Sequence, residues 1–194
     1  ASTSRSSLII GMTVKAQVNP ILRPVNRSRR RNRVRKGSAG SGKSVNGAED
    51  YILKLGDPKY KGANLLVVRK VEESNENSTF AELNSAIKRT YGQYADLYWK
   101  VRTKPMEIKN LVTGNRIIFR GFNDARQRER VRSITVEQGK LTWIWCEEAT
   151  ELLASDVDIL DDRLRGLLPS PDLYYQMTFT FNPVSAMHWI KARF

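Results

Sequence analysis

Apolar positions along the chain fall into short continuous runs separated by longer stretches of helical period. Leu65-Leu66-Val67-Val68, inside Ala63–Val71, is a run with no polar interruption and predicts a strand buried on both faces. Leu141–Cys146 predicts a second buried strand, and Tyr174–Phe181 a third, ended by Asn182-Pro183. Arg33-Val34-Arg35 alternates as the start of a strand would. The intervening segments change period. Ser44–Leu55 reads as a helix stopped by Gly56-Asp57-Pro58, and Ser78–Tyr91 places Phe80, Leu83 and Ile87 on one helical face. Ser155–Leu167 reads as a helix that ends before Pro169. Glu107–Phe122 predicts a hairpin: Ile108 and Leu111 flank the first arm, Thr113-Gly114-Asn115 makes the turn, and Ile117-Ile118-Phe119 returns. Asn19-Pro20 and Arg23-Pro24 argue against a long helix before residue 26.

Strands alternating with helices imply an α/β domain with a mainly parallel central sheet flanked by helices and carrying a β-hairpin insertion. A length of 194 residues suits one such domain with a real core. Residues 1–11 are small and polar and are read as an arm or a non-native extension. The expected division is an arm and flanking segment over 1–30 and the main domain over 31–194. The chain ends at Phe194, inside what reads as a new helix from about Ser185, as a domain cut from a longer protein would.

Composition narrows the function classes. One cysteine, Cys146, excludes an internal disulfide, and one histidine, His188, argues against a Cys/His metal site. No run approaches the ~18 apolar residues of a membrane span. Lysine and arginine exceed aspartate and glutamate by 13, a balance that favours a polyanionic partner. Eight of these cations and no acid lie between Arg23 and Lys36, which reads as a solvated segment; Asp124–Arg132 is also arginine-rich. Both are candidate contacts for a nucleic-acid backbone, with no base reading implied. Tyr91, Tyr94, Tyr98 and Trp99 cluster in the chain, and core packing is the favoured reading for them.

Two motifs carry the chemistry. Gly37-Ser38-Ala39-Gly40-Ser41-Gly42-Lys43-Ser44 matches G-x-x-x-x-G-K-[ST] between a strand signal and a helix signal. Its glycines let successive N–H groups point inward at phosphates, and the helix that follows adds its own N-terminal N–H groups. Lys43 is expected at the β- and γ-phosphates and Ser44 at Mg²⁺. The second motif is Glu147-Glu148 at the end of the strand Leu141–Cys146, the position where ligands sit in open α/β sheets. Glu147 is expected to help hold Mg²⁺, directly or through water, and Glu148 to orient and deprotonate an attacking water.

GSAGSGKS, LLVVRK, a hairpin ending IIFRGFND, WIWCEEATEL and FTFNP, in that order, make residues 17–194 resemble the large terminase subunit of tailed bacteriophages. The resemblance implies a P-loop NTPase of the RecA-like (ASCE) type that hydrolyses ATP with Mg²⁺ to drive double-stranded DNA into a procapsid. It implies a portal protein and a small terminase subunit as partners. It also implies a ring of copies on the procapsid, an isolated domain that is monomeric, and action in the host cytoplasm with no membrane. Thr180 and Asn182 match the family's coupling motif, which senses the γ-phosphate. Gln17 and Asn19 are the candidates for adenine recognition. Some relatives carry an arginine inside the P-loop where this chain has Ala39. The arginine finger is therefore expected from elsewhere, with Arg130 and Arg132 leading, Arg163 and Arg165 behind them, and Arg69 as a further group facing the nucleotide. Nothing after Phe181 supplies the acidic cluster of the family's nuclease half, so no nuclease activity is expected. Two other readings remain open: a P-loop phosphotransferase, and a nucleotide-dependent DNA-binding switch. The guanine motif N-K-x-D is absent.

Overall fold

The structure is a computed structural model that describes residues 20–185 and 187–194, together with the backbone of 3–9 and 12–18. The described residues form nine strands: β1 (Thr3–Ile9), β2 (Met12–Val18), β3 (Asn32–Lys36), β4 (Ala63–Arg69), β5 (Trp99–Thr103), β6 (Met106–Asn110), β7 (Arg116–Gly121), β8 (Lys140–Glu147) and β9 (Gln176–Phe181). The helices are α1 (Arg23–Arg27), α2 (Lys43–Gly56), α3 (Ala81–Tyr91), α4 (Ala95–Tyr98), α5 (Ala125–Arg132), α6 (Ala154–Asp161) and α7 (Trp189–Arg193). Strands β1 and β2 pair as an antiparallel hairpin. The other seven form one sheet in the order β3-β9-β8-β4-β7-β6-β5. Pairing is parallel from β3 through β7 and antiparallel at β7-β6 and β6-β5. This is the α/β, mainly parallel sheet with a hairpin that the sequence pattern predicts. No helix among the described residues is long and apolar enough to cross a membrane.

The expected hairpin is the pair β6-β7, and it extends the main sheet rather than standing apart from it. Strand β5 is not foreseen by the pattern. It begins at Trp99, which is buried beside Tyr91 at 5.8 Å between ring centroids, while the rest of the strand is exposed. Its outward face carries little apolar signal, which is why the pattern passes over it. The helix expected over Ser155–Leu167 stops at Asp161. Beyond it the backbone turns, Arg163 donates to the carbonyl of Ile134, and Gly166 takes a positive φ of 88° that a helix cannot hold. The helix expected from Ser78 begins at Ala81, preceded by a π-helical turn over Glu76–Phe80. The final helix starts at Trp189 rather than near Ser185.

The two faces of the sheet differ chemically. On one face Leu66, Val68, Ile144, Cys146, Met177 and Phe179 pack an apolar layer with α5 and α6 residues such as Val131, Val157 and Leu160. The opposite face is apolar at its centre, where Leu65, Val67, Phe119, Trp143 and Trp145 meet Ala48, Tyr51 and Ile52 of α2 and Leu83 and Ile87 of α3. Toward the β3 edge that face turns polar. Arg33 and Arg35 of β3 lie opposite Thr178 and Thr180 of β9 in parallel register, and all four are buried.

Helix α2 covers this polar strip with a carboxylate. Asp50 is fully buried and accepts from Arg33 Nη1 at 2.7 Å and Lys54 Nζ at 2.8 Å, with Arg35 Nη2 at 3.5 Å. Burial by itself would raise the Asp50 carboxyl, but Lys54, Arg33 and Arg35 together hold it below the usual carboxylate range. Burial, reinforced by the Arg33 charge, lowers Arg35 to about 10, and it keeps its proton at neutral pH. Helix α1 joins the cluster through Asn26, whose side-chain oxygen accepts from Arg35 Nη2 at 2.7 Å and whose carbonyl accepts from Lys54 at 3.1 Å. The basic run Arg23–Lys36 is thus not uniformly solvated. Arg33 and Arg35 are 2% and 3% exposed and internal, Arg31 pairs with Asp161, and Arg29 lies over the Tyr174 ring.

Removing one partner of a buried ion cluster leaves the others uncompensated, at a cost of about 3–5 kcal/mol. Asp50→Asn is expected to lose stability on that scale in urea denaturation at neutral pH. The native carboxyl titrates below its unfolded value, so the advantage of the aspartate over the asparagine variant is complete above about pH 4 and shrinks as the pH falls further. A difference between the two proteins that does not narrow in acid would sink this account.

Candidate functional site

The strands β3, β9, β8 and β4 run parallel, so their C-terminal ends share one edge of the sheet. That edge gathers the end of β3 and the P-loop, Asn182 after β9, Glu147-Glu148 at β8, and Arg69 at the end of β4. The loop Gly37–Gly42 leaves β3 with the Gly37 N–H donating to the Phe181 carbonyl at 3.3 Å, which anchors it to β9. Gly40 and Gly42 have φ of 76° and 73°, a left-handed backbone that only glycine adopts at little cost. Gly42 is also the N-cap of α2, so the free N–H groups of that helix open onto the loop. Ser38, Ala39, Gly40 and Ser41 are exposed.

Two contacts draw the distant motifs together. Lys43 Nζ donates to Asn182 Oδ1 at 2.8 Å and to the Ser38 carbonyl at 3.4 Å. Ser44 Oγ donates to Glu147 Oε1 at 2.7 Å, joining residues 103 positions apart in the chain. The second oxygen, Oε2, is held by the Thr180 hydroxyl. Thr180 is fully buried and in turn accepts from Trp145 Nε1 at 2.8 Å. Thr180 therefore faces Glu147, while Asn182 is exposed beside Lys43.

The two acids occupy unlike surroundings. Glu147 is buried, and burial raises its carboxyl above the ordinary carboxylate value. Hydrogen bonds from Thr180 and Ser44 work against that shift, and the neighbouring Glu148 charge adds to it. Glu148 is half-buried and adopts φ 48°, ψ 52°, making it the one non-glycine residue with positive φ among those described. A glutamate held in the left-handed region costs about 1–2 kcal/mol, and such strain concentrates where a side chain must be aimed.

A hydroxyl and a carboxylate 2.7 Å apart beside an anion-binding loop are hard oxygen donors. They fit Mg²⁺, which takes few protein ligands and completes its shell with phosphate and water. No group of three or more His, Cys, Asp or Glu among the described residues is arranged to hold a metal by itself.

Other expected residues are placed elsewhere. Arg130 and Arg132 end α5, which runs away from the β7 C-terminus toward the start of β8. Arg132 is exposed and pairs with Glu129, and Arg130 lines a groove of about 390 Å³ with Glu72, Pro105 and Arg120. Arg163 and Arg165 line a cleft with Gly139 and Lys140 at the opposite end of the sheet. None of these four makes a hydrogen bond or ion pair with the P-loop among the described residues. Arg69 does lie at the site edge: it pairs with Glu151 at 3.5 Å, donates to Ser78 Oγ at 3.2 Å, and its charge acts on Glu147. The side chain of Gln17, in β2, and all of Asn19 lie outside the described residues.

Residues that sequence reasoning passed over support the site from below. Arg35 Nη1 donates to Asn46 Oδ1 at 3.1 Å and to the carbonyl of Lys43 at 3.4 Å, which fixes the first turn of α2. Asp50 and Lys54, four apart on the buried side of α2, were the available signal: charges on the core face of a helix demand partners.

Glycine at 148 relieves the left-handed strain of about 1–2 kcal/mol and adds about 0.5–1 kcal/mol of unfolded-state entropy. Glu148→Gly is therefore expected to melt no lower than the parent chain in a thermal denaturation scan. A clear drop would mean that the Glu148 side chain holds structure rather than being aimed by it.

A sequence profile described as "Phage terminase large subunit" matches residues 29–194. The large terminase subunit of Bacillus phage SPP1 is 31% identical over 152 residues, which is 77% of this chain and 34% of that protein. Among solved structures, the large terminase of a thermophilic bacteriophage in complex with ADP aligns at a TM-score of 0.64 and 16% identity, over 90% of this chain and 39% of that one. The bacteriophage HK97 large terminase aligns at 0.65 and 8% identity, over 96% and 37%. At those identities the structural matches establish the fold. The chain spans between a third and two-fifths of the length of these proteins.

Proposed function

The chain belongs to the phage terminase large subunit family, and from that membership we propose that residues 31–194 are an ATP-hydrolysing motor domain that drives double-stranded DNA into a procapsid. The observation that carries the reading is the Ser44–Glu147 hydrogen bond, which places the P-loop hydroxyl and the β8 carboxylate at one point. The thermophilic phage terminase solved with ADP supports it through the shared fold.

The loop N–H groups and the N-terminus of α2 bind the phosphates. Lys43 neutralises the β- and γ-phosphates, and Ser44 and Glu147 would hold Mg²⁺, which supplies charge neutralisation across those phosphates. Glu148, aimed by its left-handed backbone, orients the attacking water and takes its proton. Lys43 is shared with Asn182, so a γ-phosphate competes with the Asn182 amide for the same ammonium. Release of that amide lets it bond the phosphate or the water, and β9 then registers whether the phosphate is present. An arginine that stabilises the transition state comes from a neighbouring copy: Ala39 stands in the P-loop, Arg163 and Arg165 lie at the opposite end of the sheet, and Arg130 and Arg132 make no described contact with the P-loop. Arg69 is the cation of the same chain that borders it.

By family membership the partners are duplex DNA, a portal protein and a small terminase subunit. The assembly is a ring of copies on the procapsid in the host cytoplasm, and the isolated chain is monomeric. Residues 1–30, with Gln17 and Asn19, form the arm and adenine-side segment. Nuclease activity is not expected of residues 1–194.

Phosphate release from ATP, with and without duplex DNA, tests this reading. Lys43→Ala is expected to lose both nucleotide binding and hydrolysis. Glu148→Gln is expected to keep binding and to lose hydrolysis by about 10²–10⁴-fold. Unchanged turnover in Glu148→Gln would remove that residue from the mechanism, and phosphate transfer to a small acceptor would favour a phosphotransferase instead.

A further inference from the structure

Trp143 and Trp145 are neighbours on the same face of β8, both fully buried. Packing alone would treat them alike. The indole N–H of Trp143 has no hydrogen-bond partner among the described residues, whereas that of Trp145 is aimed at Thr180 Oγ1 at 2.8 Å. An indole N–H can only donate, so Thr180 must accept there, and its single hydroxyl proton is directed to other acceptors. Those acceptors are Oε2 of Glu147 and, at 3.3 Å, the Cys146 carbonyl. A carboxylate is the stronger acceptor of the two. With Oε2 held from behind, Oε1 is turned toward Ser44.

The indole itself is clamped. The Tyr51 ring lies 5.7 Å from it between centroids, and the Tyr51 hydroxyl is fixed at 2.7 Å to Thr178 Oγ1, two residues before Thr180. Above it α2 carries Gly47, where a Cβ would come within 3.1 Å of the Trp145 ring. Glycine in mid-helix is unfavourable by propensity, and here it lets the P-loop helix rest directly on the indole.

We propose that Trp145 is a positioning residue for the metal-holding carboxylate: its N–H fixes the Thr180 hydroxyl, which sets the orientation of Glu147 toward Ser44. Thr180 thus acts on the nucleotide through Glu147 rather than by touching phosphate. The inference rests on the reading of Glu147 as a Mg²⁺ ligand.

The test is the Mn²⁺ affinity of the chain bound to ADP, followed by electron paramagnetic resonance, beside ADP affinity measured in EDTA. Trp145→Phe keeps a ring and removes the donor; Thr180→Val keeps the shape and removes the hydroxyl. Each is expected to weaken Mn²⁺ by about tenfold, in the range seen when a residue supporting a metal ligand is lost, with ADP affinity in EDTA unchanged. The double variant is expected to be no weaker than Thr180→Val alone, because both changes break one chain of contacts. Thr180→Ser, which restores the hydroxyl, is expected to bind Mn²⁺ as the parent does. Effects that add in the double variant, or parental affinity in Thr180→Val, would overturn the proposal, and the Val and Ser pair decides it even if Trp145→Phe fails to fold. Glu147→Gln separates the two levels. If it too leaves Mn²⁺ affinity unchanged, the ligand reading of Glu147 fails; if it alone abolishes binding, only the role of Trp145 and Thr180 fails.

Discussion

The fully buried Asp50 carboxylate is the interaction on which the site depends. It is flanked by Arg33, Arg35 and Lys54, so β3 and the P-loop helix cannot separate without leaving a buried charge uncompensated. The same cations reach outward. Arg35 bonds the carbonyl of Lys43 and the side chain of Asn46, and Arg33 Nε bonds Thr178 of β9 at 2.9 Å. One buried acid thereby fixes α2 to the strand that carries Thr180 and leads into Asn182.

That geometry explains why the site is built from self-paired polar groups. Lys43 is matched to Asn182 and Ser44 to Glu147. Under the proposed function, each pair would offer one member to phosphate or metal and leave the other with a changed partner. On that reading, binding would be felt at the ends of β8 and β9. The strained backbone of Glu148 fits the same logic: fold stability is spent where a side chain must be aimed.

Much of the fold was legible from period alone. The buried strands β4, β8 and β9, the helix after the P-loop and the β6-β7 pair follow from the length of their apolar runs, their alternation and the turn residues that bound them. Strand β5 was not legible, because Lys100, Val101, Arg102 and Thr103 are exposed and only Trp99 is buried. The early end of α6 was missed because Arg163 finds its partner in the carbonyl of Ile134, a contact the local sequence cannot announce. The basic run before the P-loop misled for a related reason. Arg33 and Arg35 look like solvent charges in sequence, and only the approach of Asp50 from α2 makes their burial tolerable.

The sequence by itself determined the motifs present: a P-loop motif at 37–44, an acidic pair at 147–148, and a Thr-x-Asn ending at 180–182. These are local, since residue type and spacing specify what each group can bind. Tertiary structure decided how they are used. It buried Thr180 behind Glu147, exposed Asn182 to Lys43, put Arg163 and Arg165 at the opposite end of the sheet, and gave Trp145 but not Trp143 a partner. Those outcomes depend on strand order and on the face toward which each side chain points. Strand order comes from packing among segments distant in the chain, as far apart as Arg33 and Thr178 at β3-β9, and no local pattern encodes it.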